Sequence, residues 1–265
     1  MDPARGPFRV ATYNANSIRS RVEIITAWLR AHEPDALCIQ ETKVTDDQFP
    51  AACFSEAGYH SVFIGQKAYN GVAILTRDEP AGVVKGTGHE LYDQEARVIR
   101  VRLGEIVVVN TYVPQGTSAS SPRFQYKLDW IMSLRDYFAR SFAPDDLIVW
   151  AGDLNVAREP IDVYDPEGLL GDVCYHPDVH KALDYVMEWG FVDVFRKHHP
   201  GEPGHYSFWD YRIPNAFKRR LGWRIDHVFA TRPLAERSMK CWIDLEPRQA
   251  DKPSDHTFVV ADFDV

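Results

Sequence analysis

Short runs of β-branched, aliphatic and aromatic residues recur along the whole chain, and most of them end on a polar side chain. Arg9 to Tyr13, Ala36 to Ile39, Gly71 to Thr76, Val98 to Leu103, Ile106 to Tyr112, Leu147 to Trp150, Phe191 to Phe195, Trp223 to Ala230 and Phe258 to Phe263 have strand length and strand composition. Between them lie three amphipathic segments. Arg21 to Ala31 puts Val22, Ile25, Trp28 and Leu29 on one helical face and stops before Pro34. Phe124 to Phe142 does the same with Phe124, Leu128, Ile131, Leu134 and Phe138, and Val179 to Trp189 with Val179, Leu183 and Val186, closing at Gly190. Many strands and few helices, with a loose strand-helix-strand order in each half, predict two sheets packed face to face with helices outside.

No Gly/Ser linker or shift of composition divides the chain, so one domain over 1–265 is expected, with residues 1–7 as an extension lacking order. The longest apolar runs fall far short of the ~20 residues of a membrane span. Met1 to Val10 carries prolines and charges where a signal peptide needs an apolar stretch. Cys38, Cys53, Cys174 and Cys241 show no metal-ligand spacing, so reduced thiols and a cytoplasmic location are expected, on the nucleoid in a bacterium. The 30 basic and 38 acidic residues leave a net charge of −8, which opposes binding of nucleic acid through bulk charge. A polyanion would need local basic patches or metal ions. Lys218-Arg219-Arg220 with Arg224, and Arg123 with Lys127, are the candidates for such patches.

The polar residues that end the runs form the informative set. Val10 to Tyr13 leads into Asn14-Ala15-Asn16, Leu37 to Gln40 into Glu41, Val107 to Thr111 into Tyr112, and Ile148 to Gly152 into Asp153-Leu154-Asn155; Trp223 to Ile225 leads into Asp226, and Ser254-Asp255-His256 precedes the last strand. Residues i and i+2 of a strand share a face, so Asn14 with Asn16, and Asp153 with Asn155, can each aim two oxygens at one spot. Any one of them could be an ordinary turn residue; together they describe a hard, all-oxygen cluster suited to Mg²⁺ or Mn²⁺ rather than zinc. Magnesium is the predicted ion.

Thr12-Tyr13-Asn14-Ala15-Asn16-Ser17-Ile18-Arg19, Gln40-Glu41-Thr42-Lys43, Tyr112-Val113-Pro114-Gln115-Gly116, Gly152-Asp153-Leu154-Asn155, Trp223-Arg224-Ile225-Asp226 and Lys252-Pro253-Ser254-Asp255-His256 resemble the motifs of exonuclease III type apurinic/apyrimidinic endonucleases, in the same order and over nearly the whole chain. The resemblance implies the α/β fold class of the endonuclease/exonuclease/phosphatase superfamily, a four-layered α/β sandwich of two packed, mostly antiparallel sheets flanked by helices. It implies a monomer that cleaves double-stranded DNA with Mg²⁺, 5′ to abasic sites and at 3′ ends.

It also assigns roles. Glu41 with Asn14 would hold the metal, with Asp255 as a further contact and Asp153, Asn155 and His256 within its reach. Asp226 would orient His256, while Asp153 and Asn155 would position the attacking water; either Asp153 or His256 could take its proton. Tyr112 would donate to the phosphate, phenolate attack being disfavoured by a reference pKa near ~10. Asn16, Arg19, Gln115 and Arg224 would contact DNA, and Phe208, Trp209, Trp223 and Ile225 would wall a pocket for the base-free sugar. Cys174 stands where many relatives have glycine and would narrow the approach to duplex interior. Two alternatives share this chemistry: an enzyme trimming 3′ ends with little internal incision, and a superfamily phosphoesterase for a non-DNA substrate.

Overall fold

The structure is a computed structural model and describes residues 6–265, so most of the extension expected over 1–7 lies outside the described residues. The strands are β1 (Phe8–Asn14), β2 (Ala36–Gln40), β3 (His60–Ile64), β4 (Val72–Thr76), β5 (Ala81–Lys85), β6 (Val98–Leu103), β7 (Ile106–Tyr112), β8 (Ile148–Asp153), β9 (Phe191–Asp193), β10 (Asp226–Thr231), β11 (Ser238–Asp244) and β12 (Phe258–Phe263). The helices are α1 (Val22–His32), α2 (Ala51–Glu56), α3 (Pro122–Ser141), α4 (Pro177–Met187), α5 (Val194–His198) and α6 (Arg232–Glu236).

Two six-stranded sheets form, in the orders β11-β12-β1-β2-β4-β3 and β5-β6-β7-β8-β10-β9. Each holds one parallel pair, β1 with β2 and β7 with β8, and is otherwise antiparallel. A parallel pair needs a crossover of a dozen or more residues, and α1 and α3 supply it. Val10, Cys38, Ile74, Val108, Val149, Val228 and Val259 fill the space between the sheets. Ile25, Trp28 and Leu29 of α1 close the outer face of the first sheet against Tyr13 and Phe258. Leu134 and Phe138 of α3, with Leu183 of α4, close that of the second against Trp150 and Phe229. The result is the expected helix-sheet-sheet-helix layering. No helix of the described residues is long and apolar enough to cross a membrane.

Two predicted strands are shorter than expected. Phe191 to Phe195 breaks after Asp193, because that carboxylate accepts the Arg196 N–H at 3.1 Å and caps α5. Trp223 to Ala230 joins the ladder only at Asp226, since Trp223 is spent on isolated bridges to Val163 and Phe208. Three strands not expected from the sequence, β3, β5 and β11, all lie at sheet edges. One residue of β8 shows how tightly the second sheet is drawn together beneath the site. Gly152 has φ +151°, and a Cβ there would lie 1.9 Å from the Thr111 carbonyl oxygen of β7, so only glycine can precede Asp153.

Candidate active site

The sandwich gathers the strand-end residues at one rim. Asn14 ends β1, Gln40 ends β2 just before Glu41, Tyr112 ends β7 and Asp153 ends β8. β10 runs antiparallel to β8, so its first residue, Asp226, stands in register with Asp153. Glu41 and Asn155 hold φ of 53° and 50°, backbone turns that leave the strand direction at the site.

Asn14 joins the two sheets. Its amide nitrogen donates to Glu41 Oε1 and to Asp153 Oδ2, both at 2.8 Å, while its amide oxygen accepts the Asn16 N–H at 2.9 Å. That oxygen accepts one N–H and keeps its second lone pair, so Asn14 stays beside the carboxylates as a candidate contact to a metal. With two carboxylates to satisfy, its nitrogen must face them, and it acts as a spacer between them. Lys43 Nζ lies 2.6 Å from Glu41 Oε2 and donates to Asn16 Oδ1 at 2.5 Å; Asn16 Nδ2 in turn donates to Asp255 Oδ1 at 3.0 Å. Burial alone would raise the Glu41 carboxyl, but Lys43 overrides it and holds Glu41 below its usual range. Tyr112 donates its phenol to Glu41 Oε1 at 2.9 Å. Burial, then Glu41 and Asp153, push that phenol well above its usual value, so it is a donor and not a phenolate nucleophile.

His256 Nδ1 contacts Asp226 Oδ2 at 2.8 Å, and its Nε2 faces Asp153 Oδ2 at 3.9 Å. Burial opposes charging this imidazole, yet the Asp226 carboxylate outweighs it and holds the ring up to about 10, a cation at neutral pH. Asp153 is pushed up to about 7 by burial, with Asp226 and Glu41 adding to the shift and His256 opposing it. Its Oδ1 accepts the Asn155 N–H at 2.9 Å, and the Asn155 amide nitrogen donates to the Val113 carbonyl at 2.9 Å. Asp153, Asp226 and His256 offer ligand atoms within 4.8 Å of one another. The buried Asp226 Oδ1 has no hydrogen-bond partner among the described residues. An oxygen-rich cluster with an orphaned carboxylate oxygen and a half-buried Asp255 suits a hard divalent cation.

Beside this cluster opens a cavity of about 280 Å³. Gln115, Cys174, Phe208, Trp223 and Ile225, all singled out from the sequence, line it together. The Phe208 ring lies 4.8 Å from the His256 ring, so cavity and cluster adjoin. Cys174 is buried, with Sγ 3.8 Å from Asn155 Oδ1, and burial pushes its thiol up to about 12, an inert wall.

Three expectations fail on burial. Trp209 does not line the cavity; it packs with Tyr206 and Ala216 in a satellite core. Arg224 is fully buried and cannot touch DNA: its guanidinium binds Asp162 at 2.7 Å and Asp193 at 2.8 Å. Lys127 is equally buried, donating to the carbonyls of Gln115, Asn155 and Val173. Arg123 is exposed but paired with Glu95 at 3.0 Å, whereas Arg19 and Lys218 to Arg220 are exposed.

Other positioning residues escaped the sequence reading. Ser207 Oγ accepts the Ile225 and Asp226 N–H groups, and Ser254 Oγ accepts the His256 N–H while donating to the Asn14 carbonyl. Ser254 and Lys43 lay inside quoted motifs, which was the available signal. Ser207, Asp162 and Asp193 carried none.

The Endonuclease/Exonuclease/phosphatase family profile matches residues 11–256. Exodeoxyribonuclease III of Haemophilus influenzae is 31% identical over 267 residues, covering 95% of this chain and 98% of its own. Among solved structures, an AP endonuclease from Archaeoglobus fulgidus superposes with a TM-score of 0.94 at 49% identity, over 97% of this chain and all of its own. A 3′ phosphatase from Neisseria bound to a product DNA hairpin superposes with a TM-score of 0.92 at 34% identity, over 97% of this chain and 100% of that one. The chain belongs to the Endonuclease/Exonuclease/phosphatase family and is a hydrolytic nuclease of that family.

Proposed function

We propose that this nuclease repairs DNA as a monomer in the cytoplasm, hydrolysing phosphodiesters 5′ to abasic sites and trimming blocked 3′ ends with Mg²⁺. The observation that carries the reading is the cavity against His256. At about 280 Å³ it lies at the small end of ligand sites, and its Phe208, Trp223 and Ile225 walls suit a flipped, base-free deoxyribose better than a nucleotide carrying its base. The exposed Lys218-Arg219-Arg220 and Arg19 supply local charge toward a polyanion that the net charge of −8 would otherwise repel.

Glu41 and Asp255 carry the oxygens that would hold Mg²⁺, which when bound supplies Lewis-acid polarisation of the phosphate and neutralisation of the leaving oxygen. The chain's own groups do the rest. Asp226 fixes His256 as a cation whose Nε2–H donates to a phosphate oxygen. Asp153, poised at about 7, takes the proton of the attacking water, and Asn155 donates to the phosphoryl group, joined by Tyr112 when its hydroxyl turns from Glu41 to the phosphate.

End-labelled duplexes carrying an internal abasic site, a 3′-phosphate or an undamaged recessed end, assayed side by side with Mg²⁺, test this reading. Incision at the abasic site and removal of the 3′-phosphate are expected, both abolished by a chelator. Hydrolysis of inositol phosphates with no cleavage of any duplex would overturn it. Cleavage of 3′ ends with an intact internal abasic site would establish the end-trimming alternative.

A further inference from the structure

A second group of metal-ligating side chains converges away from the catalytic rim. His199, Glu202 and His205, on the loop that follows α5, present ligand atoms within 4.8 Å of one another. Glu202 Oε2 is the centre of the group, 3.0 Å from His199 Nδ1 and 3.2 Å from His205 Nε2. Ligands at ~2.0–2.1 Å around a tetrahedral ion stand about 3.3 Å apart, so these separations are already those of neighbouring ligands. Gly201 and Gly204, with φ of 70° and 82°, turn the loop back so that residues three apart face one another.

The arrangement is anchored from behind. His199 Nε2 contacts the Cys241 carbonyl at 2.8 Å. A carbonyl can only accept, so this nitrogen carries a proton; without an ion Nδ1 donates to the Glu202 carboxylate, and in the neutral ring Nδ1 offers its lone pair at the same spot. A backbone carbonyl fixing the tautomer of a ligating imidazole is the usual outer support of a metal site. Arg196 Nη1 donates to the backbone oxygens of His199 and Glu202, at 3.3 and 2.8 Å, while its other end is buried against Asp162. The Phe195 ring packs on both imidazoles, 4.5 Å from His199 and 5.4 Å from His205. The three side chains remain 26%, 53% and 36% exposed, so an ion can enter from solvent and water can complete its shell.

We propose that His199, Glu202 and His205 form a second cation site, for Zn²⁺ or a similar borderline divalent ion, distinct in place and chemistry from the catalytic one. Two imidazoles and a carboxylate suit zinc, whereas the carboxylate-rich rim suits magnesium. The loop runs through Tyr206 into Ser207, which holds the Asp226 backbone, and Phe208, which lies on His256. A bound ion would tie the end of α5 to that segment and stabilise the fold without entering the reaction.

The test titrates the full chain with zinc chloride against a chromophoric chelator, in excess Mg²⁺ to occupy the catalytic rim. One equivalent of zinc should bind and raise the melting temperature. His205→Gln and Glu202→Gln should each weaken binding by at least about 10-fold with nuclease activity in Mg²⁺ unchanged, while Glu41→Gln should bind zinc like the parent. Cobalt should give tetrahedral visible bands with the parent and none with His205→Gln. Absence of zinc binding, binding unaffected by both loop variants, or binding lost in Glu41→Gln overturns the proposal. None of those results touches the DNA reading, whose readout is strand cleavage.

Discussion

His256→Asn and Asp226→Asn are each expected to slow single-turnover cleavage of an abasic duplex by on the order of 10²-fold or more, and the double variant by far less than the product. The reason is geometric. The 2.8 Å contact between His256 Nδ1 and Asp226 Oδ2 is what keeps a buried imidazole charged, up to about 10. Asp226 is fully buried, its backbone is held by Ser207 and its Oδ2 is committed to His256, so its main route to the reaction is through the imidazole. Removing either partner removes the same oriented cation. Losses that multiply strictly would show two independent groups and refute the pairing.

Asp153→Asn is expected to cost on the order of 10³-fold in rate, because it removes the group poised near neutrality to take a proton. It should also flatten the pH dependence of stability in a chelator. The folded-state value of Asp153, about 7, lies above its ordinary 3.8, so the native state holds the proton more tightly. Its contribution is fully present below pH 3.8 and is lost as pH rises through about 7. His256 has the same sign in a higher window: present below 6.5, lost as pH rises through about 10. Urea unfolding of the parent should therefore weaken across both windows, and that of Asp153→Asn chiefly across the second. A variant whose stability still falls between pH 4 and 7 as the parent's does would contradict the raised carboxyl.

The catalytic rim was legible because strands impose it. Short runs of β-branched, aliphatic and aromatic residues located β1, β2, β7, β8 and β12, and a polar residue closing such a run emerges at the end of the strand. Glu41, Asp153, Asp226 and His256 thus converge as read. Burial of charge was not legible. Arg224 reads as part of a basic loop, but its partners Asp162 and Asp193 lie 62 and 31 residues away, and only folding reveals them. Lys127 misleads in the same way, since its partners are backbone carbonyls with no sequence signal. Asn14 was found but its orientation was not: which amide atom faces the carboxylates depends on Glu41 and Asp153 together. The edge strands β3, β5 and β11 escaped because an edge has one neighbour and tolerates a mixed polar pattern.

The central claim is that hydrolysis runs on a divalent cation held by carboxylates at this rim, with Glu41 foremost. Single-turnover incision of an internal abasic duplex, followed across a range of Mg²⁺ for the parent and Glu41→Gln, tests it most directly. Glu41→Gln keeps the shape and loses the charge that Lys43 shares, so its rate should fall by on the order of 10²-fold at low Mg²⁺ and partly recover as Mg²⁺ or Mn²⁺ rises. A Glu41→Gln curve superimposable on the parent's, or undiminished cleavage by the parent in a chelator, would contradict the account.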